Sequence, residues 1–163
     1  MTPSDFIIRE IKPQDNADMA KVIRSVITEL GAPKVGTAYE DKATDEMYET
    51  YQKEKARYFV VEYQDTVVGG AGYAQLENCK ENICELQKMY FLPVARGKGL
   101  GSKLINFCLN KAKEHGFKHC YLETLPYMKA ATALYRKNGF IDLEKPMGNT
   151  GHYSCNVWML KGL

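Results

Sequence analysis

The chain has 163 residues, which at roughly 100 to 200 residues per domain gives one domain and excludes a large multi-domain machine. It is 45% hydrophobic and 26% charged, a globular balance that excludes a disordered or fibrous chain. Its 22 Lys and Arg against 20 Asp and Glu leave a net charge of +2, too near neutrality for a nucleic-acid or acidic-membrane surface.

No apolar run approaches the roughly 18 residues of a membrane span, and the opening MTPSDFIIREIKPQD lacks the basic region and long apolar stretch of a secretory signal. The expectation is a cytoplasmic protein without a membrane partner. Cys79, Cys84, Cys108, Cys120 and Cys155 are odd in number, form no CxxC pair and fall in predicted strands or helices. They are expected to be plain thiols, with neither a disulfide framework nor a metal site.

Phe6, Ile8 and Ile11 suggest a first strand, and Met19, Val22, Ile23, Val26, Ile27 and Leu30 fall on the stripe of an amphipathic helix closed by Gly31. The polar segment from Asp41 to Lys55 can form a second helix. Arg57 to Tyr63 and Thr66 to Gln75 flank a short Gln64-Asp65 turn and predict a hairpin. Ile83 to Leu92 reads as a strand stopped by Pro93. From Lys98 to His115 the apolar residues repeat helically until Gly116, and Phe117 to Thr124 follows as a strand, completing a βαβ unit. Lys129 to Asn138 is a short helix capped by Gly139, and Phe140 to Glu144 and His152 to Lys161 are closing strands. The order predicts an α/β fold built on a mixed sheet, and the absence of repeats or linkers makes residues 1–163 one domain.

The strongest chemical signal is the string RGKGLG, Arg96 to Gly101, between the strand ending at Leu92 and the helix from Lys98. Glycines there let the backbone approach a ligand, and successive N–H groups at a helix start form a nest for a pyrophosphate. Arg96, Lys98 and Lys103 add positive charge. The Walker spacing is absent, and the dinucleotide fingerprint would need glycine where Ser102 stands. A tight turn without a ligand is the plainer reading of the same glycines.

At this loop the chain resembles the GNAT superfamily of N-acetyltransferases, whose pattern Arg/Gln-x-x-Gly-x-Gly/Ala is filled by Arg96, Gly99 and Gly101. The string ELQKMYFLPVARGKGLGSKL from Glu85 to Leu104 is similar to that family's strand, bulge and helix. ALYRKNGF from Ala133 to Phe140 is similar to its next motif. The likeness is close over roughly Arg57 to Phe140, about half the chain. It implies a GNAT-like domain with a mostly antiparallel sheet of about six to seven strands flanked by about four helices.

The resemblance further implies acetyl-CoA as acyl donor. Its pantetheine arm would lie along the backbone of Met89, Tyr90 and Phe91, and its pyrophosphate on the amides of Arg96, Gly97, Lys98, Gly99, Leu100, Gly101 and Ser102. Many members carry Asn where this chain has Met128, which leaves Met128 an apolar contact, and Ala131 would let the helix lie close to the donor. Acyl transfer to an amine needs a neutral amine and a proton for the leaving thiolate, and a primary amine of pKa about 10 is mostly charged at neutral pH. Glu85 stands where members often place a base; the plain alternative is a strand carboxylate paired with Lys or Arg. Tyr135 matches the tyrosine that offers its hydroxyl to the departing sulfur.

For the acceptor, His152 and Tyr39 are the candidate binding residues. His152, Ser154, Asn156 and Trp158 would share one face of the final strand. Glu40, Asp41, Asp45, Glu46 and Glu49 suggest either a cationic acceptor or a solvated face. The expected function is direct transfer of acetyl from acetyl-CoA to a primary amine of a small molecule. Acetylation of protein lysines or N-termini, a non-catalytic acyl-CoA sensor, and nucleic-acid binding are the alternatives, the last opposed by the charge balance. The resemblance also implies pairing as a homodimer.

Overall fold

A computed structural model describes residues 2–163. The elements run β1 (Phe6–Glu10), α1 (Asn16–Glu29), α2 (Met47–Thr50), β2 (Arg57–Tyr63), β3 (Thr66–Gln75), β4 (Ile83–Phe91), α3 (Leu100–Glu114), β5 (His119–Thr124), α4 (Lys129–Lys137), β6 (Ile141–Leu143) and β7 (Val157–Gly162). They form a seven-stranded sheet in the order β1-β2-β3-β4-β5-β7-β6. Every neighbouring pair is antiparallel except β4 and β5, where α3 supplies the crossover that parallel strands require.

The central strands are buried on both faces, which is why β2 reads as a continuous apolar run rather than an alternation. Tyr58 and Val60 pack with Met19, Ile23, Val26 and Ile27 of α1. Phe59 and Val61, on the opposite face, pack with Leu104, Ile105 and Cys108 of α3. Three helices end in the same way. Ala32 and Gly31 donate to Ile27 and Thr28 carbonyls, Phe117 and Gly116 to Ala112 and Lys113, and Phe140 and Gly139 to Tyr135 and Arg136. Each is a Schellman closure with glycine in left-handed conformation.

The expected second helix shrinks to one turn, Met47–Thr50, after a 3₁₀ turn over Lys42–Asp45. Only Thr44, Met47 and Tyr51 of this segment are deeply buried, too few for an amphipathic stripe, and the Thr44 hydroxyl donates to the Ala38 carbonyl at 2.6 Å, competing with helical pairing. The last strand begins at Val157, not His152. The Ser154 amide and hydroxyl bond the carbonyls of Gly36 and Val35, so residues 152–156 are tied to a loop instead of a sheet and the expected shared face with Trp158 does not form. Cys84, Cys108 and Cys120 are buried in the core, whereas Cys79 and Cys155 lie in loops rather than in a strand or helix as expected. No helix is long and apolar enough to cross a membrane among the described residues.

Candidate active site

The decisive feature is a fork in the sheet. β4 and β5 are paired only at Ile83–His119, Cys84–Cys120 and Glu85–Tyr121; beyond Glu85 the strands part. The residues from Leu86 onward therefore keep an edge without β5 hydrogen bonds. A bulge opens the fork further: the β3–β4 register slips between Gly70 and Gly72, and Lys88 takes a left-handed φ of 49°. The Tyr58 hydroxyl fixes the bulge by donating to the Lys88 carbonyl at 2.6 Å.

The cleft so formed is lined by Glu85, Gln87, Lys88, Met89 and Tyr90 of β4, Glu123 and Thr124 of β5, Met128 and Tyr135, and Asp41 and His152 from two loops. Glu85 is 5% exposed. Burial pushes its carboxyl from 4.5 to about 7, against the opposing hydrogen bond from Gln87. Gln87 Nε2 donates to Glu85 Oε1 at 2.6 Å, and Gln87 Oε1 accepts from the Tyr51 hydroxyl at 2.6 Å, so the carboxyl is held by a short chain running back to the helical turn before β2. Glu123 accepts from the hydroxyls of Tyr121 and Thr150.

Tyr135 is positioned by the sequence around it. In the closure of α4 its carbonyl accepts from the Phe140 amide, and its ring meets that of Phe140 edge-on at 5.9 Å between centroids, the contact that accompanies this motif. Burial raises its phenol above the ordinary value, and its hydroxyl makes no hydrogen bond among the described residues.

At the other end of the cleft, residues 96–102 bridge β4 and α3. Gly97 and Gly99 have φ of 71° and 75°, and a Cβ on either would meet nothing within 4 Å. The Gly99 carbonyl accepts the first helical bond, from Lys103, so the amides of Leu100, Gly101 and Ser102 lack an intrahelical acceptor, as at any helix start. The Arg96 side chain is engaged elsewhere: its guanidinium forms a paired bond to Glu29 of α1 at 2.8 and 2.9 Å and donates to the Phe91 carbonyl at 3.0 Å. Leu100 is buried in the core. Gly101 lets α3 approach α4, since a Cβ there would lie 2.5 Å from Leu134 Cδ2. Met128 caps α4, and Ala131 packs against the same core as Leu104.

Residues 24–140 match the Acetyltransferase (GNAT) family. The chain belongs to the GNAT acetyltransferase family. As a member it is an acyl-CoA-dependent N-acyltransferase. It is 45% identical over 164 residues to the uncharacterized N-acetyltransferase YjgM of Escherichia coli K12, covering 100% of this chain and 98% of that one. Its fold superposes on a GNAT-family acetyltransferase from Staphylococcus aureus Mu50 with a TM-score of 0.83 at 19% identity, over 96% and 98% of the two chains. The PaiA N-acetyltransferase of Thermoplasma acidophilum, solved in complex with coenzyme A, superposes with a TM-score of 0.67 at 18% identity, over 97% and 99%.

Of the residues singled out from sequence, Glu85, Met89, Tyr90, Met128, Tyr135 and His152 meet at this GNAT cleft. Tyr39 does not line it. Its ring lies under Arg24 and Lys34, with the guanidinium carbon at 5.6 Å and the ammonium at 4.9 Å from the centroid. Asp41, Tyr51, Gln87, Lys88 and Glu123 were not singled out as site residues from sequence. Lys88 could not be found by alternation, because the bulge resets which side chains face the cleft.

Proposed function

We propose that the protein transfers the acetyl group of acetyl-CoA to a primary amine of a small molecule, directly, with both substrates bound. The observation that carries this reading is Glu85: a buried carboxyl with its pKa raised to about 7, at the point where β4 and β5 part, in the same cleft as Tyr135. A carboxyl titrating near neutrality suits a general base.

The residues present fit the donor. The unpaired edge of Met89, Tyr90 and Phe91 offers main-chain groups to an extended pantetheine arm. The open loop of Gly97, Lys98 and Gly99, with the amides of Leu100, Gly101 and Ser102, offers an anion nest at the start of a 15-residue helix. Arg96 supports the loop by clamping it to α1. Met128 and Ala131 supply apolar surface. Bound acetyl-CoA supplies an activated carbonyl carbon and a thiolate leaving group. Glu85 accepts the proton of the amine as the C–N bond forms. Tyr135, whose shielded phenol stays protonated throughout the working pH range, gives its proton to the sulfur as the C–S bond breaks so that CoA leaves as the thiol, and solvent carries the proton from Glu85 to the Tyr135 phenolate. His152 contacts the acceptor.

A small acceptor is favoured over an extended protein chain because two loops are tied together beside the cleft: Ser154 Oγ donates to the Val35 carbonyl at 2.7 Å, and His152 Nε2 lies 2.6 Å from Asp41 Oδ2. The reading is tested by thermal unfolding with acetyl-CoA, CoA, NAD and ATP, followed by thiol-release assays over an amine panel. At a hundredfold excess over Kd a ligand adds about 2.7 kcal/mol, roughly 5 to 10 °C here. A shift with the two CoA compounds alone supports the reading; none with either overturns it.

A further inference from the structure

Three carboxylates of the acidic segment that hints at a cationic acceptor have partners within the protein. Asp45 pairs with Arg24, Glu49 accepts from the Asn16 side chain, and Glu40 accepts from the Gly36 amide. Asp41 faces the cleft, where its Oδ2 meets both Lys88 Nζ at 3.1 Å and His152 Nε2 at 2.6 Å.

In this cluster one carboxylate serves two basic side chains. Burial opposes ionisation of Asp41, yet its hydrogen bond with His152 and the nearby Lys88 charge hold its pKa below the ordinary value. Burial likewise lowers His152, but the bond to Asp41 outweighs it and raises the imidazole pKa. Lys88 and His152 thus share one carboxylate. The Lys88 side chain is only 8% exposed and stands on left-handed backbone that a non-glycine residue adopts at a cost. Beyond Asp41, neither Lys88 Nζ nor the second ring nitrogen of His152 has a hydrogen-bond partner among the described residues. Both groups, together with Glu123, act electrostatically on Glu85, which lies three residues before Lys88 on β4. Glu123 is already held by two hydroxyls, and Lys42, Lys53 and Glu77 also line the cleft.

We infer that Lys88 and His152, oriented by Asp41, bind an anionic group on the acceptor, so that the substrate class is small primary amines that carry their own carboxylate or phosphate. This inference rests on the acetyl-transfer reading above. The amine then faces Glu85 while the anion lies between Lys88 and His152. A polyamine would instead bring a second ammonium group against Lys88.

The test follows thiol release from acetyl-CoA with matched acceptors: amino acids against their carboxamides, phosphoethanolamine against ethanolamine, and spermidine. The expected result is a kcat/KM at least tenfold higher for the anionic member of a pair. The carboxylate and phosphate pairs show which anion is read. In Lys88→Gln and, separately, His152→Asn, the acid-to-amide ratio should fall toward one; a ratio taken within one protein is independent of how much of it is folded. A ratio near one in the parent, a preference for spermidine, or a ratio unchanged in both variants overturns the inference. So does the absence of turnover of every anionic amine while CoA still raises Tm. Absence of any Tm shift with acetyl-CoA or CoA instead overturns the acetyl-transfer reading, and the acceptor class with it.

Discussion

Glu85 stands opposite Tyr121 on the last rung joining β4 to β5, and burial there lifts its carboxyl from 4.5 to about 7. The folded protein keeps a proton that the unfolded chain gives up first. This group therefore makes stability greatest below about pH 4.5 and lets it decline as pH rises to about 7, by about 3 kcal/mol in all. Glu85→Gln removes that decline and the base together. Its Tm should exceed the parent's at pH 8 by several degrees, at roughly 2 to 4 °C per kcal/mol, and by much less at pH 5, while turnover falls by about 10² to 10⁴. Melting curves and rates at the two pH values check this; an equal Tm gap at both, or an unaltered pH–rate profile, would remove Glu85 from the base role.

Tyr135→Phe deletes one hydroxyl that makes no hydrogen bond among the described residues and keeps the ring that packs on Phe140. Stability and the Kd for acetyl-CoA should stay nearly constant, and kcat should fall by roughly 10² or more. Isothermal titration beside steady-state kinetics separates the two quantities, and an unchanged kcat would end the acid assignment.

Gly99 caps α3 in a left-handed conformation with open space above it. Gly99→Ala forces a Cβ into that conformation at a cost of about 1 to 2 kcal/mol and crowds the loop proposed to hold the pyrophosphate. A weaker Kd for both acetyl-CoA and CoA is expected, with little change in kcat at saturation. Equal affinity for the two ligands in variant and parent would show that the loop is only a turn.

Gly36 is where the loop after α1 meets the one before β7: a Cβ there would lie 2.6 Å from Ser154 Oγ and 2.7 Å from the Tyr153 ring. Gly36→Ala should pry these loops apart and displace His152 from Asp41. KM for the acceptor should rise several-fold while the Kd for acetyl-CoA is unchanged. A rise in both constants would mean that the strap supports the donor site as well.

The local devices of this fold are written in short stretches of chain. The α1 stripe from Met19 to Ile27, the three glycine closures and the RGKGLG loop each depend on residues within eight positions of one another, so spacing alone is enough to predict them. The same holds for Tyr135, which the run YRKNGF sets against Phe140. The family resemblance came from these strings, and with it the places of Glu85 and Tyr135. The second helix and the start of β7 depart from the sequence pattern where Thr44 bonds the Ala38 carbonyl six residues back and Ser154 bonds the Val35 carbonyl in a distant loop. Tertiary structure alone decided that Glu85 is buried at a fork, that a bulge turns Lys88 into the cleft, and that Asp41 meets His152 across 111 positions of sequence. Periodicity carries no information about such pairs: they arise from where the sheet splits and the loops return, and the electrostatics of the acceptor site follow from that packing.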